Sequence, residues 1–339
     1  MPILIATIAA EAFGMLRSRL TERFRLDHPV ILAPMGFAGG GRLAAAISAA
    51  GGLGLIGGGY GEERWLREQI AAAGDQRVGC GFITLSLKKQ PHLLDIALDG
   101  APAAMFLSFG NPEPFADRIK KAGVPLICQI QTMADARRAI EVGADVVVAQ
   151  GAEAGGHGEK RGTFTLVPEV ADLISARAPE TLLCAAGGVA DGRGLAAALS
   201  LGADGVVVGT RFWASEEALV HPNLQAAVVS AIGDDTLRSR VIDIVKGYDI
   251  WPERYDLRTL RSATTDRWSG REGELRVVAE AEVARYAAAA AKGDARFVGA
   301  TVGEAIGLIH GIEPAGTILR TMVSEAEAIL AKAPTWIAA

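Results

Sequence analysis

Two stretches, GADVVVAQG (143–151) and its echo GADGVVVGTRF (202–212), decide the fold of this chain. Each places a Gly-Ala-Asp turn before a short valine-rich run that ends on glycine, and the copies start 59 residues apart. A run that is apolar at every position is too continuous for a one-faced strand and too short for a helix. It marks a strand of a parallel sheet buried on both faces. Similar runs begin at Val30 (VILAPM), Leu53 (LGLIGG), Val78 (VGCGFI), Ala103 (AAMFLSF), Pro125 (PLICQI) and Thr181 (TLLCAAGG), which with those from Asp145 and Gly205 makes eight. The first and last starts are 175 residues apart, or seven steps of 25, about the length of one strand, loop and helix. Eight units at that beat predict a closed (β/α)8 TIM barrel. The longest step, 36 residues, separates the sixth and seventh runs, and its excess is GAEAGGHGEKRGTF (151–164).

This register predicts an N-terminal extension with a helix over 1–27, the barrel over 28–235, a smaller helical cap over the barrel mouth at 236–300, and a helix in 301–339 that completes the ring. A length of 339 residues, 50% apolar and 22% charged, fits one barrel of about 250 residues with an elaboration. It excludes collagen, coiled coil and disordered chain. Lys+Arg 34 against Asp+Glu 39 gives −5 with no basic run, so a small molecule rather than nucleic acid is the expected partner. The three cysteines, Cys80, Cys128 and Cys184, lie far apart inside apolar runs without metal-ligand spacing. They read as reduced core thiols, and no metal is expected. MPILIATIAAEAFGML (1–16) has no basic residue before it, contains Glu11 and lacks a clear cleavage site, so the expectation is a cytoplasmic protein with no membrane segment. Met15 is an alternative start.

Glycine supplies 41 of 339 residues, much of it at the ends of the apolar runs. In barrels the loops after the strands' carboxyl ends build the site, and those after strands seven and eight bind phosphate. AAGGVADG (185–192) and GTRF (209–212) occupy those places, which makes Gly187, Gly188, Gly209 and Thr210 the candidate phosphate cradle. Pro34 and Met35 end the first strand with a non-donor and a polarizable side chain, a pair that suits a flat ring. Thr84 and Gln129 end the third and fifth with neutral hydrogen-bonding groups. Together the five strand ends point to a mononucleotide across the mouth. Of five histidines, His157 stands apart because it lies in EAGGHG within the longest connection, where it can move a proton at a bound ligand. Glu153 is a carboxylate four residues away, and loop geometry decides whether the two meet. No nucleophile elbow, Walker loop or His-Glu-x-x-His helix is present, and GLGLIGGGYG (52–61) lacks the acidic strand end of a dinucleotide fold.

LDHPVILAPM, GAEAGGHG, AAGGVADGRG and GADGVVVGTRF together resemble the nitronate monooxygenase family, formerly 2-nitropropane dioxygenases. The likeness runs from about Leu20 to Val220. It implies an FMN-containing barrel oxidoreductase that turns alkyl nitronates, or nitroalkanes, and O2 into a carbonyl compound and nitrite. Carried over by residue, it sets Pro34, Met35 and Gly156 beside the flavin ring, Thr84 and Gln129 on its polar edge, and Ala186, Gly187, Gly188, Gly209 and Thr210 on the phosphate. His157 matches the active-site histidine. Flavin-dependent enoyl-acyl-carrier-protein reductases and NADH:quinone reductases share most of these strings, so an FMN enzyme fed by NAD(P)H is the rival, and a flavin-free phosphate-binding barrel the second. Two departures stand out: Phe82 replaces a frequent Asn and Gln129 a frequent Lys, a weaker stabiliser of reduced flavin. The sequence leaves a homodimer open.

Overall fold

The computed structural model describes residues 16–336. Its strands in chain order are β1 (Val30–Leu32), β2 (Leu55–Gly57), β3 (Gly79–Ile83), β4 (Met105–Ser108), β5 (Leu126–Ile130), β6 (Val146–Gln150), β7 (Gly156–Gly158), β8 (Leu182–Ala186), β9 (Gly205–Val208), β10 (Thr236–Ser239) and β11 (Asp256–Leu260). Eight of them form one parallel sheet in the order β1-β9-β8-β6-β5-β4-β3-β2. A parallel bridge between Ile31 and Leu53 joins the two ends, with Leu32 N–H on Leu53 O at 2.9 Å and Leu53 N–H on Val30 O at 3.0 Å. The expected (β/α)8 barrel is therefore present, and every barrel strand begins within about two residues of its apolar run.

Strand side chains alternate between two buried environments. Ile31, Phe106, Ile127, Val146, Val148 and Val207 fill the barrel interior, whereas Leu32, Leu107, Leu126, Val147 and Val206 pack outward beneath the helices. Burial on both faces is what makes the runs continuously apolar. The helix Arg19–Phe24 closes the lower end. Ser18 caps it by accepting from Thr21 N–H, and Arg19 grips Asp204 through two bonds of 2.8 Å. Leu20 and Phe24, 0% and 1% exposed, enter the inner core and contribute about 2 kcal/mol each. The first 15 residues, and with them the start at Met15, lie outside the described residues.

The last helix is Ala315–Lys332, inside the 301–339 stretch, and Pro314 before it disfavours helical backbone in the residue that precedes it. It packs on the helices Gly192–Ser200 and Gly41–Ala49. The stretch 236–300 holds helices, but also the antiparallel pair β10 and β11, and β11 pairs in turn with β7 from the long sixth loop. A three-stranded sheet thus ties this stretch to the barrel mouth, with Leu257 opposite His157.

Candidate active site

A cavity of about 810 Å³ opens at the carboxyl ends of the barrel strands, and ten of the eleven candidate residues line it, all but Thr84. Thr84 lies beyond β3, as the first residue of the short helix Thr84–Leu87, where the strand's alternation has ended. It is 3% exposed, its hydroxyl has no partner among the described residues, and it borders a separate small pocket. Gln129 is in phase with Ile127 and faces the cavity. Its amide Nε2 donates to Gln150 Oε1 at 3.1 Å, and Gln131 Nε2 donates to the same oxygen. Gln150 Nε2 in turn donates to His157 O at 3.2 Å. This ladder leaves the Gln129 carbonyl free to accept from a ligand.

One wall is glycine by necessity. A Cβ on Gly81 would stand 2.4 Å from the Pro34 ring, so Pro34 lies flat across β3 only because Gly81 has none. Gly187 and Gly188 take φ of +98° and +77°, and the N–H groups of Gly188, Gly209 and Thr210 meet no acceptor among the described residues. The Thr210 hydroxyl accepts from Gly303 N–H at 2.9 Å, which locks the end of the eighth unit to the chain that follows the cap.

His157 sits at the centre of β7, 7% exposed. Its Nε2 lies 3.0 Å from both carboxylate oxygens of Asp243, which is 1% exposed on the helix Val241–Val245. An ionised carboxylate only accepts, so Nε2 carries the proton and Nδ1 is left as the basic nitrogen. Burial lowers the imidazole pKa below its usual value, and Asp243 opposes the fall. Trp251 stacks on the imidazole at 3.4 Å between centroids and 14° between planes, and Phe109 meets both rings edge-on. Phe109 holds φ at +58°, a left-handed conformation a bulky side chain rarely takes and one that concentrates at functional sites.

Two arginines fix the loop that presents the histidine. Arg238 donates to Gly156 O at 3.1 Å, Asp256 O at 2.7 Å, and Ala152 O and Ala154 O at 2.9 Å each. Arg258 reaches Ala152 O as well, at 3.0 Å. Burial, then the neighbouring Arg258 charge, pushes the Arg238 pKa down to about 10. Glu153 does not meet His157; its carboxylate accepts from Thr163 N–H at 3.0 Å and Thr163 Oγ1 at 2.8 Å and braces the start of the loop. Cys128, beside Gln129 in sequence, points outward into the layer between sheet and helices, and burial pushes its thiol up to about 12. All three cysteines are free and buried.

Sequence reasoning missed Asp243, Trp251, Phe109, Gln150 and Arg238. The only signal was the aromatic and charged run YDIWPER (248–254), because no spacing rule links Asp243 to a histidine 86 residues away.

A closed barrel whose strand ends surround one deep cavity, with a shielded imidazole held by a carboxylate, defines a TIM barrel with an enzyme-like site. The chain belongs to the nitronate monooxygenase family, whose model matches residues 17–78 and 83–325. A nitronate monooxygenase of Neurospora crassa is 34% identical, covering 88% of this chain and 89% of the relative. A 5-hydroxy-7a-methyl-1-oxo-octahydro-1H-indene-4-carboxyl-CoA dehydrogenase of Rhodococcus jostii is 33% identical over 67% of this chain and 64% of its own. Among solved structures, FabK from Thermotoga maritima aligns with TM-score 0.84 at 32% identity, covering 95% of this chain and 100% of that one. The nitroalkane oxidase of Streptomyces ansochromogenes, at 23% identity, TM-score 0.72, and 90% and 98% coverage, shows the fold alone. Among the described residues no helix is long and apolar enough to cross a membrane.

Proposed function

We propose that this chain oxidises alkyl nitronates with O2 to a carbonyl compound and nitrite, with FMN as its cofactor. The observation that carries the proposal is the pairing, in one cavity, of a cradle of unengaged N–H groups with a neutral imidazole aligned by a buried carboxylate. The residues present fit a phosphorylated flavin. The free N–H groups of Gly188, Gly209 and Thr210 suit a phosphate, Pro34, Met35 and Gly156 offer a narrow apolar slot for a ring, and the free Gln129 carbonyl suits a ring N–H. FMN held there would supply the electron acceptor and the centre at which O2 is reduced. Two nitronates and one O2 then balance to two carbonyl compounds and two nitrites.

The chain's own residues orient the substrate and manage its proton. His157 Nδ1 accepts the proton from carbon when a neutral nitroalkane is the substrate, and Asp243 stabilises the imidazolium that results. Trp251 and Phe109 exclude water from that pair and fix the ring plane.

Anaerobic mixing of the purified protein with propionate 3-nitronate, NADH and NADPH in parallel tests the reading. Fast bleaching of a flavin band near 450 nm by the nitronate alone is the expected result. Fast bleaching by a nicotinamide alone moves the chain to the NAD(P)H reductases, and a colourless protein that FMN cannot reconstitute removes both readings.

A further inference from the structure

Lys246 is the one lysine or arginine that lines the cavity. It directly follows the helix Val241–Val245, three residues after Asp243, a spacing that places both on one helical face. Asp243 is taken up by His157 Nε2, and the other cavity-lining carboxylate, Glu153, is taken up by Thr163. Among the described residues Lys246 has neither an ion-pair partner nor a side-chain hydrogen bond, and the side chain keeps surface open to the cavity. Desolvation lowers its pKa, with the Asp243 charge opposing, yet Lys246 is an exposed residue of the cavity wall, and its ammonium has no counter-ion of its own among the described residues. A cation in that position carries unspent capacity for an anion. Its surroundings are otherwise aromatic and aliphatic, with Val245, Tyr60 and Tyr248 on the same cavity wall.

We propose that Lys246 is the anion-binding residue of the substrate half of the cavity: its ammonium receives the negatively charged oxygens of the nitronate and selects that anion over the neutral nitroalkane with the same carbon chain. The proposal rests on the nitronate reading above. It assigns the cap, not the barrel, the choice between charge states, because Asp243 lies on one short helix and Lys246 directly follows it.

The test uses unreactive ligands, so that binding is separated from turnover. Butyrate has the shape and charge of a propyl nitronate, and butyramide is its neutral counterpart. Dissociation constants of both are measured by calorimetry on the flavin-loaded wild-type protein and on Lys246→Met and Lys246→Arg. Loss of one charge-assisted contact on the open cavity wall weakens butyrate about 10-fold in Lys246→Met. Butyramide changes less than threefold, and Lys246→Arg restores most of the butyrate affinity. Equal weakening of both ligands would mean that Lys246 only balances Asp243, and would overturn the proposal, as would a wild-type protein that binds the two alike. Should nitronate fail to bleach the flavin while butyrate binding still depends on Lys246, the anion site stands and the assigned reaction falls.

Discussion

Replacing Asp243 by Asn tests whether the buried carboxylate is what makes His157 a base. Both Asp243 oxygens lie 3.0 Å from Nε2, and the pair is 7% and 2% exposed. A full ion pair at that distance is worth up to roughly 5 kcal/mol at an effective dielectric constant of about 20. Desolvation of the two groups takes back part of this, leaving about 2–4 kcal/mol of support for the imidazolium. At 1.36 kcal/mol per factor of ten, that is about a 30- to 1,000-fold loss in the proton-abstraction step. Asn adds a second fault, because its amide can donate to Nε2 and move the ring proton to Nδ1, where the base is needed. The assay is kcat/KM for a nitroalkane and for its preformed nitronate, from pH 5 to 9, in protein of matched flavin content. The nitroalkane value falls by the stated factor, whereas the nitronate, which has already lost its proton, falls less than tenfold. A nitroalkane value within threefold of wild type would refute the role given to Asp243 and, with it, the base assignment of His157.

The folded-state pKa of His157 lies below the unfolded value of about 6.5. Below that value the unfolded chain binds the extra proton, so this residue's contribution to stability is complete above pH 6.5 and is lost as pH falls toward the folded pKa. Urea unfolding at pH 7.5 and 5.5 reads it, and the gap should narrow in His157→Phe; an unchanged gap counts against a neutral buried imidazole. Gly188→Ala, forced to φ of +77°, costs about 1–2 kcal/mol and misaligns the cradle, so flavin retained through dialysis drops at least several-fold while far-ultraviolet dichroism is unchanged. Arg238→Met removes the guanidinium donor to Ala154 O and Gly156 O, while Ala152 O keeps Arg258, and loosens the 152–156 segment by about 2–4 kcal/mol. Amide exchange across 151–158 should accelerate in that variant, with the barrel strands unaffected.

The sequence by itself determined the barrel, because its signal is local and repeated. Gly-Ala-Asp turns, doubly buried strands and a steady 25-residue step occur within each unit and need no knowledge of the others. It also marked the glycines at 187 and 188, whose positive φ is a local backbone requirement. It did not determine that β3 stops at Ile83 and a short helix begins at Thr84, which is why Thr84 misses the cavity that Gln129 lines. Nor did it show the roof. β10 and β11 are short strands carrying Arg238 and Arg258, and they read weakly because they are strands only where they meet β7. The union of His157 with Asp243 and Lys246 in one cavity, and with Trp251 stacked on its ring, is likewise a product of that sheet, which brings together residues some 90 positions apart in the chain. Contacts of this kind are made by tertiary packing alone, since no local spacing or propensity encodes which distant helix will cover a given loop.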